Sequence, residues 1–198
     1  ERRLDEGCLP HELDERAQQG KLTDDEKMCI EGSISSISRS RDREALSLLL
    51  INNAYAQKDI EAWKAYTARH LEQINPSDAG LAYRLALITW QGGQGDPADT
   101  ITWSEVALAE RAVWTGETYD NRVYALYQIR AAAAQAQWKS LAEADDDTET
   151  AQRSLRRSRD KTREAALEWY RFAQQTEQSS QVALNLCTLA AGDASECQ

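Results

Sequence analysis

The sequence predicts an all-α fold, and three observations carry that expectation. Proline occurs only at Pro10, Pro76 and Pro97 in 198 residues, so almost nothing interrupts the helices that a proline would break. Apolar side chains recur every three to four positions over most of the length, the period of one helix face and not of a strand. Capping residues and Gly or Pro stops then cut this periodic sequence into segments of ordinary helix length.

Taken in order, a short N-terminal region, His11 to Lys21 and then Thr23 onward, holds the first cysteine pair. Thr23 and Glu26 form a capping-box pattern that opens a helix through Met28 and Cys29. The serine run Ser33, Ser35, Ser36, Ser38 and Ser40 ends it. A strong helix is expected from about Asp42 to Gln57, with Leu46, Leu49, Leu50, Ala54 and Tyr55 at helical spacing. Asp59 starts the next, with Ile60, Trp63, Tyr66 and Leu71 on one face, and Asn75-Pro76 stops it. Asp78 caps a further helix that buries Leu81, Leu85 and Ile88 and ends at Gly92-Gly93-Gln94-Gly95. Asp99 or Thr100 opens another through Trp103, Val106, Leu108 and Ala112, which stops at Thr115-Gly116. Two longer helices, about 118–144 and 148–175, form an antiparallel hairpin whose acidic turn projects into solvent. The alanine run 131–134 allows a neighbouring helix to approach closely. A last helix, about 180–191, carries Val182, Leu186 and Leu189 before Gly192.

Four cysteines, Cys8, Cys29, Cys187 and Cys197, bracket this helical chain. Such an even, clustered set points to disulfides formed in an oxidising, extracytoplasmic compartment; the plainer alternative is four buried thiols in a cytosolic protein. Of the three pairings that four cysteines allow, Cys8–Cys29 and Cys187–Cys197 are favoured, because the ends of an elongated array lie far apart while local loops close cheaply. The chain begins at Glu1 without a charged n-region or an apolar h-region, so the expectation is that any signal peptide is already removed or left out. No run of eighteen apolar residues is present, which excludes a membrane-spanning helix. A net charge of −10 argues against nucleic acid as a partner. One local exception is the basic stretch Arg153, Arg156, Arg157, Arg159, Lys161 and Arg163, which faces the acidic residues Glu143, Asp145, Asp146, Asp147 and Glu149 across the hairpin turn. An intramolecular match between two solvated faces is expected there ahead of an anionic-ligand site.

Two segments carry a resemblance to known repeats. Ala54-Tyr55 and Asp59 to Tyr66, with Ala62 and Trp63, followed by Asn75-Pro76, resemble a degenerate tetratricopeptide repeat, in which Asn52 takes the place of the usual glycine and the closing interval is two residues long in excess. Ala82-Tyr83-Arg84-Leu85 through Trp90, Gly92, Gly93, Gly95, Pro97 and Asp99 resembles the Sel1-type variant with one extra residue, and Glu164 to Ala173 is similar to that repeat's second helix. The resemblance implies a helical solenoid of about three helix pairs with a long antiparallel helical hairpin. It further implies one continuous domain, with a disulfide-stapled helical cap over 1–40, helix pairs over 41–117, and the hairpin with a stapled C-terminal helix over 118–198. The layout also resembles the exported repeat proteins of the bacterial envelope, including those serving gliding motility in myxobacteria. What this implies is a scaffold or adaptor, periplasmic or attached to the outer envelope, in a motility or secretion complex.

Few residues offer chemistry. His11 and His70 are the only histidines and are not spaced as metal ligands with any cysteine, so neither a metal nor a cofactor is expected. Asp145-Asp146-Asp147 lacks the glycine and distal glutamate of an EF-hand, and Gly92-Gly93-Gln94-Gly95 is followed by Asp96 and Asp99, which repel phosphate. No catalytic residue is assigned. The alternative from another class is a small envelope enzyme, or its regulatory lobe, acting on cell-wall glycans through one glutamate in a deep cleft; the lysozyme-like lobe of such enzymes is missing here. Of the six tryptophans, Trp63, Trp103, Trp138 and Trp169 fall on helix faces and are expected in the core, whereas Trp90 and Trp114 at helix ends are candidate exposed anchors. In tetratricopeptide-like arrays the first helix of each pair lines the concave face. The resemblance therefore implies Asn53 and Gln57 there, and more loosely Arg84 and Arg122, as contacts for a protein or peptide partner.

Overall fold

The computed structural model describes residues 10–91, 95–144 and 148–197. Among them the regular structure is entirely helical, with nine α-helices and short 3-10 turns and no strand. The chain divides into two compact units between Asp78 and Ala79. This boundary falls just after the Asn75-Pro76 stop and inside the segment 41–117 that the repeat resemblance treats as one block.

The first unit contains α1 (Pro10–Gln18), α2 (Asp24–Ser36), α3 (Ser40–Ala56) and α4 (Ile60–Gln73). Helix α3 is central, and α1, α2 and α4 each pack on it. Leu46, Leu49 and Leu50 of α3 meet Leu13 and Ala17 of α1, Leu22, and Ile30 and Ile34 of α2 in one buried cluster. The ends of these helices are fixed locally. Thr23 Oγ1 accepts from the Glu26 amide at 3.3 Å while the Thr23 amide donates to Glu26 Oε2 at 2.8 Å, the capping box the sequence predicts. Asp59 caps α4 by accepting from the Ala62 amide at 3.0 Å. Gly20 turns the chain between α1 and α2 at φ +68°, and a Cβ there would stand 3.0 Å from Gln57 Cγ, so glycine is required on both counts. Between α3 and α4 lies a buried polar layer of Ser47, Thr67 and His70, in which His70 Nδ1 and Ser47 Oγ are 3.1 Å apart.

The second unit contains α5 (Ala79–Thr89), α6 (Pro97–Ala109), α7 (Gly116–Glu143), α8 (Glu149–Gln175) and α9 (Gln181–Ala191). Each helix packs on the next in chain order. Helix α6 begins earlier than expected, because Asp96 Oδ1 accepts from the amides of Ala98 and Asp99 at 2.8 and 3.0 Å and Pro97 sits in the first turn, where its missing N–H costs nothing. It also ends earlier, at Ala109, with the 3-10 turn Arg111–Val113 beyond it. Gly116, expected as a stop, instead opens α7. The long hairpin of α7 and α8 is present, and Ala131, Ala133 and Ala134 are buried, as are Ala165 and Ala166 of α8. Trp169 is buried beside the alanines of α8 and meets Tyr124 edge-on at 5.9 Å. Cys187 and Cys197 are joined, which ties the C-terminal turn to α9. The expected Cys8–Cys29 pairing involves Cys8, which lies outside the described residues, as do Gly92 to Gln94 and the acidic turn Asp145 to Asp147.

Among the described residues no helix is long and apolar enough to cross a membrane. Trp63, Trp103 and Trp169 are buried as expected. Trp138 is only half-buried, because it lies beyond Ala134, where α7 no longer has a fully covered face.

Candidate functional site

The second unit brings together three side chains far apart in sequence: Tyr83 on α5, Trp114 just after the 3-10 turn, and Arg122 in the second turn of α7. Tyr83 and Trp114 meet edge-on with ring centroids 5.8 Å apart and planes at 70°. The Arg122 guanidinium lies over both, with Cζ 5.3 Å from each centroid. Each ring face attracts the cation electrostatically, so the guanidinium is held in place without a carboxylate. Arg122 makes no ion pair and no hydrogen bond. It is also only half-buried. The result is a positioned fork of N–H donors with no acceptor from the described residues, suited to a carboxylate or another planar anion.

The other sequence-derived contact residues fare differently. Trp114 is buried, 8 % exposed, and so serves as the floor of this cluster and not as a free anchor; the 3-10 turn before it precedes a ring that meets Tyr83 edge-on. Trp90 is half-buried at the end of α5. Arg84 is exposed and unpaired on α5. Asn53 is a correction: it is 2 % exposed, and its Oδ1 accepts from the Leu22 amide at 3.0 Å, so it holds the α1–α2 connection onto α3 and no partner reaches it. Gln57 is exposed, but its Nε2 donates to the Gly20 carbonyl at 3.0 Å, and it serves the same connection. Asn53 and Gln57 belong to the first unit, whereas Arg84, Trp90, Trp114 and Arg122 belong to the second.

A second charged cluster was not read from the sequence. A cavity of about 150 Å³ opens between α6, α7 and α8, with Glu105, Arg130, Lys161, Glu164 and Glu168 around apolar Ile101, Ala134 and Ala165. Arg130 pairs with Glu168 and lies over the Tyr127 ring at 5.3 Å. Burial draws the Arg130 guanidinium below the usual arginine value, while Glu105, Tyr127 and Glu164 oppose that shift; the group stays charged at any physiological pH. The available signal was an arginine interrupting the apolar stretch Leu126 to Ala134 on α7. Among the described residues no group of three or more His, Cys, Asp or Glu is arranged to hold a metal ion.

No protein-family model matches this chain, and no curated protein or solved structure matches it.

Proposed function

We propose that this protein is a non-enzymatic helical-repeat scaffold or adaptor that engages a protein or peptide partner, and that it works outside the cytoplasm, in the bacterial envelope. The observation that carries the binding reading is Arg122, a half-buried guanidinium bracketed by Tyr83 and Trp114 with no acceptor of its own. Arginine, tyrosine and tryptophan are the residues that dominate protein interfaces, and a pre-positioned guanidinium loses little freedom when a carboxylate docks. The Cys187–Cys197 bond supports the extracytoplasmic location, since cytosolic thiols are kept reduced. The motility or secretion setting rests on the resemblance of the layout to exported envelope repeat proteins. The glycan-enzyme alternative draws less support: in the cavity of about 150 Å³ between α6, α7 and α8, well under the roughly 300 Å³ at which small-molecule sites begin, Glu168 is committed to Arg130, and in the wider, open depression of about 560 Å³ beside Asp160, Glu164 and Glu196 Glu196 is committed to Arg163.

The test uses partners recovered from envelope extract on the immobilised wild-type protein. Arg122→Ala is expected to weaken the captured partner by about 1–3 kcal/mol while the fold is retained, and Arg122→Lys, which keeps the charge but not the planar fork, to restore only part of it. Equal binding by wild type and Arg122→Ala defeats the proposal.

A further inference from the structure

Among the described residues, the α7–α8 hairpin ends in an arm that carries no buried side chain. From Gln135 to the end of α7, and from Thr148 to Arg157 on α8, every described residue is half-buried or exposed. The basic stretch starts on this arm with Arg153, Arg156 and Arg157 and continues past it through Arg159, Lys161 and Arg163, of which Lys161 borders the cavity between α6, α7 and α8. Over residues 153–163 six cations stand against a single carboxylate, Asp160. Arg153 pairs with Glu149, one turn before it, and Arg163 with Glu196 at 2.6 Å. The remaining four, Arg156, Arg157, Arg159 and Lys161, are exposed and make no ion pair or hydrogen bond. The intramolecular match expected between the two arms of the hairpin is therefore absent for these four.

Local spacing matches these charges only in part. Side chains three and four residues apart are neighbours on a helix, and like charges there repel. Arg157 has Arg153 and Lys161 as its i−4 and i+4 neighbours, and Arg159 has Arg156 at i−3, Arg163 at i+4 and no acidic residue at either spacing, while the single carboxylate Asp160 is shared by Arg156 at i+4 and Arg157 at i+3, and Lys161 has Glu164 at i+3. In a chain with 33 acidic residues against 23 basic ones, pairing partners were plentiful. Four exposed cations without an ion pair, in a chain so rich in carboxylates, leave their charge available to something outside the chain.

We propose that the exposed basic surface of α8, centred on Arg156, Arg157 and Arg159, is a docking site for an acidic segment of a protein partner. It goes beyond the Arg122 reading, from which it is independent in residues and in test. Arginine forks match carboxylates in a bidentate way. From Arg153 to Arg163 the helix advances about 15 Å, the span of about five residues of extended peptide, which sets the length of the acidic segment. A protein segment fits better than a nucleic acid or an anionic membrane. Glu149 and Asp160 interrupt the surface and the chain as a whole carries −10, so a long polyanion meets repulsion that a short acidic peptide avoids.

The probe is a fluorescent peptide of about five consecutive glutamates, titrated by anisotropy against the full chain at low and high salt. Wild type is expected to bind it in a salt-sensitive way. The triple variant Arg156→Gln, Arg157→Gln, Arg159→Gln is expected to lose about tenfold in affinity, as for the loss of several exposed charge pairs, with an unchanged circular dichroism spectrum. Arg122→Ala is expected to bind this peptide as wild type does. The proposal is overturned by no binding to the wild type, by equal binding to the triple variant, or by phosphatidylglycerol vesicles or an oligonucleotide binding more tightly than the peptide and displacing it. If the glutamine variant proves unstable, the same three positions changed to lysine keep the charge without the planar fork and should bind the peptide more weakly than the wild type but still in a salt-sensitive way; no salt-sensitive binding by it also overturns the proposal.

Discussion

Replacing Asn53 by alanine tests whether the first unit is built as described. Asn53 is 2 % exposed and Leu22 4 % exposed, and the 3.0 Å bond from the Leu22 amide to Asn53 Oδ1 is that donor's partner. In Asn53→Ala the amide stays buried without an acceptor, at a cost of about 1–3 kcal/mol, and the vacated volume adds to this. The expected total is about 2–3 kcal/mol. For a transition confined to a unit that ends at Asp78, each kcal/mol is worth roughly 4–8 °C, so Tm falls by roughly 8–24 °C. Circular dichroism melts measure this, with Gln57→Ala as the comparison. Gln57 also bonds to the same connection, but from the surface, and its loss is expected to cost about 0.5 kcal/mol or less. Amide exchange at Leu22 should accelerate in Asn53→Ala alone. Equal melting of the two variants refutes the placement of Asn53 in the interior.

Three further outcomes are expected. Burial holds the His70 imidazole below its ordinary value, with Asp78 and Glu44 opposing; the folded state therefore favours the neutral ring, and the associated stability is complete above about pH 6.5 and is lost as pH falls below that, with a slope of at most about 1.4 kcal/mol per pH unit. Urea unfolding across this range should show a slope that His70→Gln reduces, and identical slopes in the two proteins would falsify the assignment. Gly95→Ala should destabilise by about 1–3 kcal/mol or more, because a Cβ there would fall 1.4 Å from the Thr89 carbonyl oxygen; an unchanged melting curve contradicts it. Replacing Cys187 and Cys197 by serine opens a link between residues ten apart and should cost about 3 kcal/mol in denaturant unfolding, an effect that reduction of the wild type should approach.

Helix ends were legible where a local bond makes them. Thr23 with Glu26, Asp59, Thr148 and Gly192 all act within four residues of themselves, so the sequence contains the whole interaction. Gly116 was misread because a glycine after an apolar stretch looks the same whether it closes one helix or admits the chain to the next; at φ +56° it does the latter. Asn53 was misread for a different reason. It lies seven residues after Leu46 and four after Leu49, on the face that those leucines bury, and the helical period alone placed it inward. The repeat resemblance turned it outward instead. A buried polar residue is compatible with an apolar stripe when a backbone amide supplies its bond, and that amide, 31 residues away, is not visible in sequence.

The Arg122 cluster could not be read for the same reason of distance, since nothing in the sequence joins Tyr83 to Arg122 until α5 and α7 pack in the second unit. The basic stretch on α8 needed no packing to find, yet its meaning depended on whether carboxylates came to meet it. On the proposed reading the two cationic surfaces act on different terms of binding. Arg122 is fixed by two rings and only half-buried, so its bond to a carboxylate forms in partly dry surroundings and governs how long a partner stays. The α8 arginines are exposed, where solvent screens each pair and the gain lies in steering a charged partner to the surface. A chain of net charge −10 repels acidic partners at long range. An unpaired cationic arm is what lets such a partner approach one surface of it selectively.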